Sequence, residues 1–211
     1  MTGLKFQILE TRDITPQEWL RLWADRYQGD DDAEHRYLID KHESLSPDDF
    51  ERIGKWKDGL ATEAAVKGKW KPNVASVAYS VWMQVAQELP KRPKEDEVAD
   101  FLDRWSTATY SDCFSSGKTV VKQFGLSRAT TLLHFVSGGE YPIFDLRVRT
   151  AVARLSNTPV QNTVPHYLNS FCPLFHELAT LCGSQDDLRR LDKALFSYGA
   201  FPWQSNRPED L

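Results

Sequence analysis

The feature that most constrains this chain is the spacing of its apolar residues, which recur at intervals of three and four over most of the sequence. That period places them on one face of a helix. The first helix is predicted to begin where Thr15 provides the cap, Pro16 takes the first helical position and Glu18 completes a capping box. Its buried face then consists of Trp19, Leu20, Trp23 and Tyr27.

The same signals recur along the rest of the chain. A second start signal at 46–49 precedes the stripe Phe50, Ile53 and Trp56, and further stripes run over Val74–Leu89, Val98–Trp105, Val148–Leu155, Leu168–Leu181 and Leu188–Tyr198. Pro173 is expected to kink the Leu168–Leu181 helix and Gly199 to stop the last one. Alternation with a period of two is nearly absent, and Lys5–Leu9 is the only short strand predicted. The predicted fold class is therefore all-α.

Length and composition narrow the class of protein further. The 211 residues are 41 % apolar and include seven tryptophans, which is enough for one or two domains with a substantial core. No apolar run is long enough to span a membrane, and Met1–Lys5 lacks a secretory pattern. Cys113, Cys172 and Cys182 form no even disulfide framework. We therefore expect a reduced, cytoplasmic protein without a membrane partner.

Charge is unevenly distributed along the chain. The net charge is −4, which argues against general binding of polyanions. Between Cys113 and Asn157, however, only Glu140 and Asp145 are acidic, whereas six residues are basic: Lys118, Lys122, Arg128, Arg147, Arg149 and Arg154. Such asymmetry permits a local phosphate-facing surface on an acidic protein.

The segment Val120–Leu155 has the most distinctive order of elements. It predicts a helix, a tight turn at Gly125, a second helix over Arg128–Val136 capped by Ser127, a glycine-rich loop, and a further helix opened by Asp145. A turn of this kind leaves backbone N–H groups pointing outward at a helix N-terminus. These groups form a phosphate site that needs no side-chain charge. The polar stretch Ser106–Ser116 before this segment is predicted to be a linker between lobes, and Lys67–Pro72 a loop.

The segment resembles the helix-hairpin-helix base-excision DNA glycosylases. The residues that carry the resemblance are Gly125–Ala129, Leu132-Leu133, Gly138-Gly139, Tyr141–Asp145 and Val148, and the 8-oxoguanine glycosylase-like and adenine glycosylase branches are the nearest in style. The resemblance implies a two-lobed helical bundle with a helix-hairpin-helix motif. One lobe would combine 1–29 with 141–211, and the other would be the central 30–140.

The family's activity assigns roles to individual residues here. Breaking a glycosidic bond builds positive charge on the sugar, and Asp145 matches the carboxylate that stabilises it. The target base leaves double-stranded DNA and enters a pocket. The resemblance implies that the DNA contacts come from Gln123, Gly125, Ser127 and Arg128 at the hairpin and from Arg147 and Arg149 after the aspartate.

Some positions depart from the family pattern. Ser127, followed by Arg128, stands where bifunctional members place the Schiff-base lysine, so the implied reaction is monofunctional hydrolysis by water. Gln123 replaces the first glycine of the usual hairpin, and three scattered cysteines exclude the four-cysteine iron–sulfur cluster of some members. No histidine has metal-ligand spacing. We expect neither metal nor cofactor.

Simpler interpretations of the same residues stay open. Asp145 directly precedes a helix, where aspartate is a favoured cap, and Gly125 suits an ordinary turn between helices. Arg147 and Arg149 also suit a solvated helix face. The function predicted is a DNA glycosylase of base-excision repair. The alternatives are a non-catalytic helix-hairpin-helix DNA-binding protein and an all-α protein-interaction domain.

Overall fold

The computed structural model describes residues 4–8, 12–29, 31–58, 81–89, 93–113 and 119–201, and these are mostly helical. A 3₁₀ turn (His42–Ser44) and a π-helical turn (Tyr167–Phe171) accompany the helices. The helices are α1 (Pro16–Ala24), α2 (Asp32–Asp40), α3 (Pro47–Asp58), α4 (81–88), α5 (Glu95–Thr107), α6 (Leu126–Val136), α7 (Leu146–Ser156), α8 (Val164–His166), α9 (Cys172–Cys182) and α10 (Leu188–Ala200). Within the described ranges, none of them has the length and apolar character needed to cross a bilayer.

Helix start signals in the sequence act as predicted. Thr15 and Glu18 form the reciprocal capping box of α1, with Glu18 N donating to Thr15 Oγ1 (3.2 Å) and Thr15 N donating to Glu18 Oε2 (3.0 Å). Pro47 opens α3, as the second signal predicts. The first residues of the predicted stripe Val74–Leu89 and the predicted loop Lys67–Pro72 lie outside the described residues.

The mostly helical structure agrees with the all-α prediction, but the described residues also include two antiparallel pairs of strands. Strand β1 (Gln7–Ile8) lies within the predicted strand Lys5–Leu9 and pairs with β2 (Arg12–Asp13), which the sequence did not predict. Strands β3 (Thr109–Cys113) and β4 (Thr119–Gln123) pair with Thr109 opposite Gln123 and Cys113 opposite Thr119. The prediction of a polar linker over Ser106–Ser116 is therefore wrong for β3.

The segment before Gly125 is a strand, whereas the sequence predicts a helix there. Its residues Thr119, Val120 and Val121 are β-branched, and such side chains favour extended backbone. An apolar run this short does not distinguish helix from strand by its period. The glycine bend therefore joins a strand to a helix, and the first helix of the expected helix-hairpin-helix is absent from this position.

Contacts divide the chain into two compact units, one of Met1–Gly29 with Ile143–Leu211 and the other of Asp30–Pro142. In the first unit, α1, α7 and α10 pack around a cluster of aromatic rings. Trp19 and Trp23 each meet Tyr198 edge-on, with centroid distances of 5.3 and 5.1 Å. Burial of both tryptophans confirms the predicted inner face of α1.

Helix α10 does not stop at Gly199, as the sequence predicts, but continues to Ala200. Gly199 instead lies against the first turn of α7. A Cβ atom added to Gly199 would lie only 1.8 Å from the carbonyl oxygen of Arg147. The glycine is therefore required by the closeness of the two helices and not by a helix end.

Helix α6 is the centre of the second unit. All its residues from Ala129 to Val136 are buried, and it packs against α2, α3 and α5. Nε2 of His134 lies 2.9 Å from Nε2 of the buried His35 on α2, while Nδ1 of His134 lies 2.8 Å from the carbonyl oxygen of Tyr141. Because that carbonyl only accepts, Nδ1 of His134 donates and, in the neutral ring, Nε2 accepts from His35.

The irregular part of the helical run 164–182 is the π-helical turn at Tyr167–Phe171, directly before α9. Pro173 is the second residue of α9 and has no N–H to donate to the preceding turn. Where the sequence predicts a kink at Pro173, the structure therefore has a π-helical turn in the residues just before it. Phe144 packs on this turn, with its ring centroid 4.6 Å from that of Phe171.

Replacing Gly199 with alanine should destabilise the first unit by about 3 kcal/mol, because the added methyl group meets backbone that cannot rotate away. Urea unfolding followed by circular dichroism measures the loss. The matched control is Ala200→Gly on the exposed neighbour, which costs at most about 1 kcal/mol of helix propensity. Equal stability of Gly199→Ala and the native chain would contradict the close packing.

Asp49 supplies a pH-dependent contribution to stability. Its side chain is buried and accepts hydrogen bonds from Lys41 Nζ (2.8 Å), Ser46 Oγ (2.6 Å) and Ser46 N (2.9 Å). Burial by itself acts to raise the pKa of Asp49, but these hydrogen bonds and the Lys41 charge outweigh it and hold the pKa well below its usual range. The folded state therefore favours the ionised carboxylate.

A carboxylate with a lowered pKa stabilises the fold above the unfolded pKa of about 4, and that stabilisation is lost as the pH falls below it. Asp49→Asn should lower the free energy of unfolding by about 2 kcal/mol at neutral pH. It should also make stability depend less on pH in the acid range. Urea midpoints across the acid range test this, with Asp48→Asn on the exposed neighbour as the control. An unchanged acid limb in Asp49→Asn would contradict it.

Candidate functional site

Asp145 is the N-cap of α7. Its backbone is extended, and its Oδ1 accepts hydrogen bonds from Arg147 N (2.7 Å) and Val148 N (3.1 Å). The side chain is half-buried, so solvent reaches it. The simpler interpretation of Asp145 as a helix cap is therefore correct, and the cap holds the carboxylate in one orientation.

The two arginines after Asp145 lie against aromatic rings. The guanidinium carbon of Arg147 is 4.5 Å from the ring centroid of Phe196, and that of Arg149 is 5.2 Å from the ring centroid of Phe144. Burial lowers the pKa of Arg149, while the charge of Asp145 acts to raise it. Nε of Arg149 is buried and has no hydrogen-bond partner among the residues that the structure describes. Leu146, between them and Asp145, is 67 % exposed.

Gly125 forms the bend between β4 and α6 and is the N-cap of α6. Its φ of +86° lies in the region that favours glycine, while a Cβ atom there would meet nothing within 4 Å. The requirement for glycine is therefore one of backbone conformation alone. The bend leaves the N-terminal turn of α6 without a side-chain cap, which is the arrangement that suits a bound anion.

The other residues predicted at the bend have intrachain roles. Ser127 does not cap the helix, as the sequence predicts, because α6 already begins at Leu126. Nη1 of Arg128 donates to the carbonyl oxygens of Phe124 (3.0 Å) and Gln123 (3.4 Å), so its side chain folds back onto the end of β4. The Gln123 side chain is exposed.

The predicted site residues belong to different units. Gln123, Gly125, Ser127 and Arg128 lie in Asp30–Pro142, whereas Asp145, Arg147 and Arg149 lie in the unit that includes Ile143–Leu211. Asp145, Arg147 and Arg149 lie together at the start of one helix, α7.

A cavity in the first unit includes residues that the sequence analysis missed. It has a volume of about 660 Å³ and opens between the end of α1, the end of α10 and the first turn of α7. Its lining is aromatic and polar: Trp23, Asp25, Arg26, Tyr27, Gln28, Gly29, Arg147, Phe196, Ser197, Ala200 and Phe201. Arg147 thus lines the cavity with its side chain while its backbone N–H binds Asp145.

Cations cover the aromatic rings of this cavity. The guanidinium carbon of Arg26 lies 5.0 Å from the ring centroid of Trp23, in addition to the contact between Arg147 and Phe196. On the ring of Tyr27, Arg189 and Lys193 lie at 5.1 and 5.3 Å. Such contacts orient flexible basic side chains over flat apolar surfaces. The sequence pattern assigned Trp23 and Tyr27 only to a buried stripe and gave no signal of this cavity.

Cys172 and Cys182 are buried on α9 and lie outside the lining of this cavity. Burial raises the pKa of Cys172 and that of Cys182 to about 12, so both thiols stay protonated at neutral pH. Across the described ranges, no group of histidine, cysteine, aspartate and glutamate side chains is arranged to hold a metal ion. The chemistry available near the cavity is that of a carboxylate, guanidinium groups and aromatic rings.

The candidate site therefore consists of the carboxylate that caps α7, the first turn of α7 with its two arginines, and an aromatic cavity that is lined by one of these arginines, Arg147. No family model, no curated protein and no solved structure matches this chain.

Proposed function

We propose that this protein is a monofunctional DNA N-glycosylase that removes a modified base from double-stranded DNA, with Asp145 as its catalytic carboxylate. The observation that carries the proposal is the shared position of Arg147. Its backbone N–H binds the Asp145 carboxylate, and its side chain lines a cavity with aromatic walls. A reacting sugar beside the carboxylate and a base in the cavity are what the reaction requires.

Asp145 stabilises the transition state in this proposal. As the bond between C1′ and the base breaks, positive charge develops on the sugar, and a carboxylate held beside it offsets that charge. The water that attacks C1′ transfers its proton to Asp145 and its oxygen to the sugar, while the base leaves with the bonding electron pair. Because Ser127 stands at the lysine position of bifunctional members, no imine forms and the strand remains intact.

The cavity takes the flipped base. Tyr27 and Phe196 supply half-buried aromatic surfaces, and the guanidinium groups of Arg26 and Arg147, which lie over the rings of Trp23 and Phe196, supply planar hydrogen-bond donors. A base that has left the duplex regains stacking on aromatic side chains and hydrogen bonds on its polar edge. The volume of about 660 Å³ is in the usual range for small-molecule sites.

The bend at Gly125 grips the DNA backbone in this proposal. The uncapped amides at the start of α6 suit a phosphate group, and Arg128 braces the bend by binding two carbonyl oxygens before it. The strand before Gly125 replaces the first helix of the helix-hairpin-helix, so the glycosylase-like fold proposed here uses a strand, a bend and a helix for this contact.

Asp145→Asn should lower the rate of base release by at least about a hundredfold, because the neutral amide cannot offset charge on the sugar. The measurement is the appearance of abasic sites in duplexes that carry a panel of modified bases. Asparagine caps helices as well as aspartate does, so the variant should keep its melting temperature. Asp187→Asn, the same change at the N-cap of α10, is the matched control. Base release that survives in Asp145→Asn would remove this residue from the mechanism.

Affinity for an unmodified duplex should fall steeply with salt, since phosphate contacts release counterions. Fluorescence anisotropy with a labelled duplex at several salt concentrations measures the slope of log affinity against log salt. A steep slope without base release from any duplex would favour a non-catalytic DNA-binding protein. Absent or salt-independent binding would favour a protein-interaction domain and contradict the proposal.

A further inference from the structure

We propose that a second cavity in the first unit binds a small organic ammonium ion with an apolar body. This cavity lies between the end of α7 and the helical run from α8 to α9, and its volume is about 450 Å³. It shares no lining residue with the cavity that Arg147 lines. The inference therefore goes beyond the glycosylase reaction and does not depend on it.

One wall of the cavity is an irregular stretch of helix. The π-helical turn Tyr167–Phe171 contributes Ser170 to the lining, and Pro173 follows at the start of α9. Turns of this type are rare and occur frequently at functional sites. Cys172 N donates to the carbonyl oxygen of Tyr167, five residues earlier, and Pro173 has no N–H for the next carbonyl group. The turn therefore has more main-chain acceptors than donors.

The inner surface of the cavity is apolar. Val152 on α7 and Phe171 on the π-helical turn are both buried and both line it. Pro159, Val160 and Leu174 continue the apolar surface. A cavity of this volume has room for a small organic molecule, and burial of an apolar group against these side chains is favourable. The ligand therefore needs an apolar body.

A single carboxylate provides the charge of this region. Between Leu155 and Cys182 the sequence contains no aspartate, lysine or arginine and one glutamate, Glu177, although 27 % of the whole chain is charged. Glu177 is exposed on α9, and the described residues that line the cavity include Glu177 but no lysine or arginine. A carboxylate attracts a nearby cation and repels an anion. The lining therefore favours a positively charged ligand over a negatively charged one.

Most polar side chains of the lining present acceptors. Ser156 Oγ donates to the carbonyl oxygen of Val152 (2.8 Å), and Thr158 Oγ1 donates to that of Ser156 (3.2 Å). Because each hydroxyl group has used its one hydrogen, only its lone pairs remain for a ligand. The carboxylate of Glu177 only accepts, and the neutral ring of His166 has one acceptor nitrogen. A ligand that brings N–H groups finds more partners here than one that brings only acceptors.

An ammonium group meets both conditions. It carries positive charge and three N–H donors, and hydrogen bonds between opposite charges are stronger than neutral ones. A neutral alcohol of the same shape gains the apolar contacts but not the attraction to Glu177. A carboxylate of the same shape is repelled by Glu177 and brings no N–H donor.

Three probes with the same aromatic ring test the charge preference. They are benzylammonium, benzyl alcohol and benzoate, each titrated into the full chain at neutral pH and low salt. Amide chemical shifts in two-dimensional NMR spectra measure the affinity and show which residues are affected. We expect benzylammonium to bind at least about fivefold more tightly than benzyl alcohol, because an ion pair open to solvent contributes modestly. Benzoate should bind more weakly than either, and the shifts should concentrate in 152–177.

Three variants locate the preference in this cavity. Glu177→Gln removes the charge at an exposed position and keeps the side-chain length, so the preference for benzylammonium should fall below about twofold. Glu140→Gln, the same change at an exposed glutamate outside the lining, is the matched control and should retain the preference. Ser170→Leu adds an apolar side chain to the lining from an exposed position and should weaken benzylammonium and benzyl alcohol alike.

Several results would overturn the inference. Benzyl alcohol or benzoate binding as tightly as benzylammonium would contradict the charge preference, and so would the absence of binding by all three probes. A preference that Glu177→Gln retains, or that Glu140→Gln loses to the same extent, would show that the charge does not act in this cavity. Unchanged affinities in Ser170→Leu would place the probes elsewhere. None of these results bears on the glycosylase proposal, whose assays measure base release and DNA binding.

Discussion

The contact between Gly199 and the carbonyl group of Arg147 is the constraint on which the first unit depends. Only a residue without a side chain lets α10 approach the first turn of α7 so closely. That approach places Phe196 under the Arg147 guanidinium and brings Tyr198 between Trp19 and Trp23. The cavity walls and the orientation of the Asp145 carboxylate thus share one packing contact, and a change at Gly199 reaches both.

The role of Asp145 as a helix cap and its proposed role in catalysis are compatible. A cap binds the carboxylate to two backbone N–H groups of α7, and these bonds limit its rotation. Electrostatic catalysis depends on groups that are already oriented before the reaction begins. The residue that follows, Leu146, is exposed, and Arg147 and Arg149 lie against aromatic rings on either side. The start of α7 therefore both fixes the Asp145 carboxylate and places Arg147 and Arg149 near it.

Local interactions explain which predictions are correct. The capping box of Thr15 and Glu18, the start of α3 at Pro47 and the cap at Asp145 all depend on groups within three residues of one another. The errors arise where local signals are ambiguous or misleading. The apolar run before Gly125 pairs with Thr109–Cys113 as a strand, and Gly199, which reads as a helix stop, serves a contact with a residue 52 positions away.

By itself the sequence determined that most of the described chain is helical, which face of α1 is buried and that Asp145 caps a helix, because periodicity and capping act over one or two turns of backbone. The tertiary structure alone decided that β4 pairs with β3, that Arg128 folds onto the bend and that Trp23, Arg147 and Phe196 line one cavity. These outcomes depend on which segments meet. Residues as distant as Trp23 and Phe196 become neighbours only when the helices that carry them pack, and a local pattern does not specify that meeting.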